Sequence, residues 1–323
     1  MFGLTFLSAT SKTTTHRVVP FRMGKLFSPV AGYVAGGNDI GGNVSGIDKI
    51  AFPADTKTTL SATLTTGRRF PASFANSGTA GYVAGGHDIS APQSGIDKIA
   101  FPADTKTTLS ATLTTARNSP TGFANSGTAG YVAGGSDSGG NVSGIDKVAF
   151  PADTKTTLSA TLTTARNVPT GFANSGAAGY VAGGSDSDFI SGIDKIAFPA
   201  DTKTTLSATL TTAREGMAGF ANSAVAGYVA GGYTVSGYIS GIDKVAFPAD
   251  TKTTLSATLS TVSGYPAGFA NSGTAGYAAG GDSGSRISGI DKIAFPADTK
   301  TTLSATLTTA RRFLTGFADS GSL

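Results

Sequence analysis

Along residues 57–66, Leu60, Ala62 and Leu64 alternate with Thr59, Ser61, Thr63 and Thr65. A period of two, with small hydroxyl residues on one side, predicts a half-exposed outer β-strand. Two apolar runs precede it. AGYVAGG at 31–37 ends in a glycine pair suited to a tight turn, and SGIDKIAF at 45–52 is stopped by Pro53, which cannot donate to a ladder. GFANSG, as at 122–127, adds a small-residue segment anchored by one Phe. No window carries a helical period of 3.6, so the chain is expected to be all-β.

The pattern then repeats. The string GY(V/A)AGG places its tyrosine at Tyr33, Tyr82, Tyr131, Tyr180, Tyr228 and Tyr277, spaced 49, 49, 49, 48 and 49 residues apart. Between these points SGIDK(I/V)AFPADTKTTLSATL returns almost letter for letter. A period near 50 belongs to propeller blades rather than to helical solenoids. Six units of four short strands predict a six-bladed β-propeller of four-stranded antiparallel blades over residues 31–323, with repeats starting near 31, 80, 129, 178, 226 and 275. The first unit lacks a good copy of GFANSG before it, whereas the chain finishes with TGFADSGSL. That orphan strand, carrying Phe317, is expected to close the ring by completing the first blade, with residues 25–30 as the competing occupant. Closure removes two exposed sheet edges, and burying Phe317 is worth about 1.5–3 kcal/mol.

In its order of strands this unit resembles the kelch repeat. In that family a double glycine closes the second strand, an aromatic sits in the third and an arginine follows the fourth. Here the arginines are Arg117, Arg166, Arg214 and Arg311, with Arg68 displaced in the first copy and Val262 standing in the fifth. The kelch tryptophan of the outer strand is absent, with Leu60 and Leu64 in that strand instead. The near-identity of the copies also resembles the kelch-like propellers of tailed bacteriophages, particularly those of cyanobacteria. That resemblance implies a virion protein.

Two segments per unit differ between copies. One follows the glycine pair (38–44, 87–93, 185–190, 233–239, 282–287), and the other follows the outer strand, as at 67–73. In a four-stranded antiparallel blade both lie on the same side of the disc, with the near-invariant NSGTAG and PADTKT loops opposite. Of 28 aromatic residues, 18 are the repeating Tyr and two Phe of each unit, assigned to the core. Four more lie in residues 1–30, and the other six, Phe70, Phe189, Tyr233, Tyr238, Tyr265 and Phe313, all fall in the varied segments. Aromatics in Gly/Ser/Asp-rich loops are typical interface anchors, although they could instead plug the channel or lean on neighbouring blades. His87 and the arginines 68, 69, 117, 166, 214, 286, 311 and 312 share this face. The arginines are expected either to ring the channel mouth or to pair with Asp88, Asp137 or Asp186. The repeated Asp and Lys of IDK and PADTK read as a structural ladder. Asp48 is expected to bond a neighbouring blade, and Asp55 to form a turn bonded to its own backbone.

Charge and composition narrow the chemistry. The net charge of +4 resides entirely in residues 1–30, which hold Lys12, Arg17, Arg22 and Lys25 and no acid. The neutral remainder offers no footprint for a nucleic-acid backbone, and no apolar run reaches the roughly 18 residues that span a bilayer. Neither nucleic acid nor membrane is expected as a partner. There is no cysteine or tryptophan, only two histidines (His16 and His87) and a single glutamate, Glu215. This composition argues against the copper-oxidase and sialidase sites that propellers carry, and no catalytic residue, metal site or cofactor is expected.

The expected role is that of a non-enzymatic structural or interaction protein. Its varied face would bind a host glycan or protein through Arg68, Phe70, His87, Arg117, Arg166, Phe189, Arg214, Tyr233, Tyr238, Tyr265, Arg286 and Phe313. The arm at 1–30, with Phe6, Arg17, Phe21, Arg22 and Phe27, would dock it on other proteins of a virion tail, neck or capsid. The alternative is a stand-alone soluble sugar-binding propeller.

Overall fold

Each apolar run becomes a strand of five residues or fewer in most blades of the computed structural model, which describes residues 31–319. The second blade shows the pattern: Ala72–Asn76, Ala80–Ala84, Ile96–Ala100 and Thr105–Thr108 pair in sequence order, antiparallel throughout. Blades three to six repeat this order. The first blade takes its inner strand from the far end of the chain. Thr315–Ala318 pairs with Ala31–Ala35, placing Phe317 opposite Tyr33, so the ring is closed as expected. The protein is a six-bladed β-propeller. The arm residues Phe6, Arg17, Phe21, Arg22 and Phe27 lie outside the described residues.

The outer strand is shorter than its alternation predicts. It ends at Thr59, and although the Leu60 amide still bonds the Ile47 carbonyl at 2.9 Å, the next contact is from the Leu64 amide to Ser45. Four residues therefore span two on the partner strand, and the chain bulges away from the ladder. The alternation survives as burial, with Leu64 at 2 % exposure and Leu60 half-buried.

The eighteen repeating aromatics form six interblade stacks. Phe317 and Tyr33 lie parallel at 5.1 Å, and Phe101 of the next blade stacks on Tyr33 at 5.0 Å. Such pairs add about 0.5–1.5 kcal/mol each beyond their burial. The glycine before each tyrosine makes this possible, since a Cβ at Gly81 would occupy the Phe317 ring and one at Gly130 the Phe74 ring.

Polar contacts lock the same interfaces on either side of the stack. Tyr33 donates its hydroxyl to Asp104 at 2.8 Å, and Lys49 reaches the other carboxylate oxygen at 2.6 Å. Tyr277 and Lys292 hold Asp55 in the same way, so this carboxylate bridges blades rather than bonding its own turn. Burial, and then the adjacent carboxylate, push all six of these tyrosines well above the usual phenol range.

The second lock corrects the expectation for the arginines. Arg68, Arg117, Arg166, Arg214 and Arg311 are each 2 % exposed and pair with Asp97, Asp146, Asp194, Asp243 and Asp48 of the following blade. They form a buried ring inside the disc rather than a guanidinium ring at its surface. Asp48 does bond its neighbour, accepting from the amide and hydroxyl of Thr308 as well as from Arg311. Burial pushes the carboxyls of Asp97, Asp146 and Asp243 up. Bonds from a threonine hydroxyl and amide and the adjacent arginine outweigh it, holding all three below the usual carboxylate range. Burial in turn lowers Arg68, Arg166, Arg214 and Arg311.

Candidate functional site

The glycine pair closing each second strand sets the geometry of the varied face. Gly36 and Gly37 have φ of 67° and 99°, and a Cβ at either would strike the carbonyl oxygen of Arg68 or Arg312. The tight turn lets the loop after the pair bond the connection entering its own blade. His87 exchanges backbone bonds with Arg69, Tyr233 with Glu215, and Asp282 with Gly264. Both divergent segments of each unit therefore meet on one side of the disc. The near-invariant turns occupy the other, where the Asn76 side-chain oxygen accepts from Gly127 and the Ser126 hydroxyl from Ser77.

The six connections converge at the channel. At their apices stand Phe70, Ser119, Val168, Gly216, Tyr265 and Phe313, all with φ between 50° and 62°. Their main chains form a closed cycle in which each N–H donates to the preceding apex carbonyl. It runs from Phe70 to Phe313 at 2.6 Å, and from Tyr265 to Gly216 at 2.6 Å. Below it, Pro71, Pro120, Pro169, Met217, Pro266 and Leu314 line a cavity of roughly 90 Å³, room for a few waters. The inner strands narrow the channel further. A Cβ at Gly122, Gly171, Gly219, Gly268 or Gly316 would collide with the adjacent strand's backbone, and the second blade's Ser73 donates to the Gly316 carbonyl.

Around this mouth the six non-repeating aromatics gather into an arc covering about half the ring. Phe70 stacks on Phe313 at 4.0 Å, and Tyr265 meets Phe313 edge-on at 4.8 Å. Beyond Gly264, which carries the Tyr238 ring, Tyr238 packs on Tyr233 at 5.0 Å, and Tyr233 on Phe189 at 5.9 Å. All six rings are half-buried, so they lean on one another while each keeps an accessible edge. The other half of the mouth carries Ser119, Val168 and Gly216 instead.

Polar groups fix the arc. Glu215 accepts the Tyr265 hydroxyl at 2.7 Å and the Ser185 hydroxyl at 2.5 Å. Burial and this carboxylate raise Tyr265. Burial and Asp282 raise Tyr238, with Arg312 opposing. Arg312 bonds Asp282 and lies 4.5 Å from the centre of the Phe313 ring, while Arg286 grips Asn38 through its side-chain and main-chain oxygens. His87 sits in the second blade's loop with its ring nitrogen on the Asp88 carbonyl. Asp88 caps its own loop through the amides of Ala91 and Ser90, which lower its carboxyl. Asp137 likewise accepts from Gly139, so neither of these acids partners the buried arginines. Among the described residues, no three His, Asp or Glu side chains are grouped so as to hold a metal ion.

Of the sequence-predicted site, the structure brings together Phe70, Phe189, Tyr233, Tyr238, Tyr265 and Phe313, with Arg286 and His87 at neighbouring loops. It buries Arg68, Arg117, Arg166 and Arg214. The backbone cycle was invisible to sequence reasoning, since only Gly216 among its members announces a left-handed conformation. The fold defines the chain as a propeller. No protein-family model matches it, and no curated protein does.

Proposed function

We propose that the protein is a non-enzymatic binding propeller of kelch-like type. Its varied face takes a partner protein or glycan, and it is carried as an appendage of a larger assembly, a virion, through the arm at residues 1–30. The observation that carries this reading is the coincidence of two distributions. Divergence between otherwise near-identical copies is concentrated on one face, the turn holding Ala224 and Val225 being a small departure on the other, and the six non-repeating aromatics form two neighbouring clusters on the varied face. Amphipathic rings set in Gly/Ser/Asp loops provide large contact area at small conformational cost, the usual composition of a recognition surface. Ordered carboxylate and guanidinium partners pre-organise them, which reduces the entropy lost on binding. The kelch-like assignment is supported by the glycine pair after the second strand and the arginine after the fourth. The virion setting is supported by the near-identity of the copies and by the net positive charge, whose excess lies in the arm.

Deleting residues 1–24 tests the role of the arm. Loss of incorporation into the assembly, with the disc still folded, supports the appendage. Unchanged behaviour supports a free sugar-binding propeller instead.

A further inference from the structure

One of the six interblade locks is missing its guanidinium. In the connection from the fifth blade to the sixth, Ser263 occupies the arginine position. Its amide bonds the Ile239 carbonyl and its own carbonyl accepts from Gly232, as Arg117 does with Gln93 and Gly86. The residue at the arginine position is therefore Ser263, and not Val262 as the sequence comparison has it. Where Arg117 donates to the carbonyls of Gly134 and Gly144 and to Asp146, the matching acceptors here are Gly280, Gly289 and Asp291. The serine hydroxyl reaches only Gly280, at 3.2 Å. Asp291 is 7 % exposed and keeps its bonds to Ser260 and Thr302, with Lys300 at 3.9 Å from Oδ1, the oxygen that Thr302 bonds. Ala278 stands where the other five blades have Val, widening the gap. The result is a cavity of roughly 190 Å³, opening towards solvent past the exposed Ser260 and Thr302.

We propose that this cavity is a binding site for a guanidinium cation. The cation would come from a small molecule or from an arginine side chain of a partner inserted between the blades. The acceptor set is one buried carboxylate and two converging carbonyls, which suits a planar cation that only donates. The matching carboxylate holds such a group in the other five interfaces, and in those of Arg117 and Arg166 the two glycine carbonyls join it, so the site is already shaped for it. An apolar cavity of about 150 Å³ accommodates benzene, and a guanidinium head with a short stem is no larger. A metal such as calcium would need six or more oxygens, more than the one carboxylate and two carbonyls supply.

The test uses the full chain, titrated calorimetrically with agmatine, methylguanidinium and a short arginine-containing peptide, with methylammonium as control. One saturable site is expected in the wild type. Asp291→Asn should weaken it about tenfold or more, as expected for loss of a charged hydrogen-bond partner. Ser263→Arg should abolish it, because the tethered guanidinium fills the site. It should also raise the thermal midpoint by about 2–4 °C or more, as gaining roughly 1 kcal/mol would. Agmatine and methylguanidinium binding identifies a free small cation as ligand, and binding of the peptide alone identifies a partner's arginine. The proposal fails if no probe binds the wild type, if Ser263→Arg binds as well as wild type, or if methylammonium binds equally.

Discussion

Arg311 and Asp48 join the last turn of the chain to its first blade, with Nη2 and Oδ2 3.1 Å apart across 263 residues of sequence. The pair repeats the contact that Arg68 makes with Asp97, so the seam between chain ends is built from the same parts as four other interfaces. Removing one partner of a buried ion pair leaves the other uncompensated and costs about 3–5 kcal/mol. Arg311→Met should lower the free energy of unfolding by about that amount in a denaturant titration. A loss below about 1 kcal/mol, the level of a surface pair, would show that the seam is not buried in solution.

Phe317 provides the apolar half of the same seam. Its ring is fully buried against Gly81, as the Phe74 ring is against Gly130. Phe317→Ala should therefore cost about 3–5 kcal/mol, the range for a buried aromatic, and match Phe123→Ala within error. A much smaller effect at Phe317 would mean that the last strand frays from the first blade.

The six buried tyrosines make a prediction about alkaline stability. In the unfolded chain they lose their protons near pH 10, whereas in the fold they keep them well beyond it. Above that pH the unfolded state binds fewer protons, so stability falls as pH rises further. Thermal midpoints should be flat up to about pH 9.5 and decline steeply above about pH 10. A midpoint independent of pH to 11.5 would contradict the buried Tyr–Asp bonds.

Asp97, Asp146 and Asp243 act at the other end of the scale. Their depressed carboxyls contribute stability that is fully present above the unfolded value near 3.9 and is lost as pH falls through the lower folded values. Acid unfolding should begin below about pH 4, and replacing these three by Asn should flatten that limb.

Much of this architecture was legible before any coordinates. The tyrosine spacing counted the blades, the glycine pairs marked the turns, and the orphan Phe317 strand named its own partner. Loop divergence located the varied face and its aromatics. Burial of the arginines was not legible, because a single charged residue after an outer strand reads equally as rim or core. Only the bulge after Thr59 turns each side chain inward, beneath the carbonyls that receive it. The outer strand was overestimated for a related reason, since Leu60 and Leu64 keep their alternating burial across a bulge that breaks the ladder.

At the channel mouth, Ser119 shows that serine is tolerated at the left-handed apex, with φ of 55°. The triple change of Phe70, Tyr265 and Phe313 to Ser should therefore leave a folded disc with its far-ultraviolet spectrum unchanged. The same variant should lose partner binding by 100-fold or more, on the order expected when several hot-spot aromatics worth about 2 kcal/mol each are removed. Unaltered binding would take recognition away from these rings.

The most direct measurement is a density map of the protein in its native assembly. A partner other than the arm's anchor should cover the arc from Phe189 through Tyr265 to Phe70, leaving the PADTK turns in solvent. Partner density over those near-invariant turns, with the aromatic arc bare, would contradict the account.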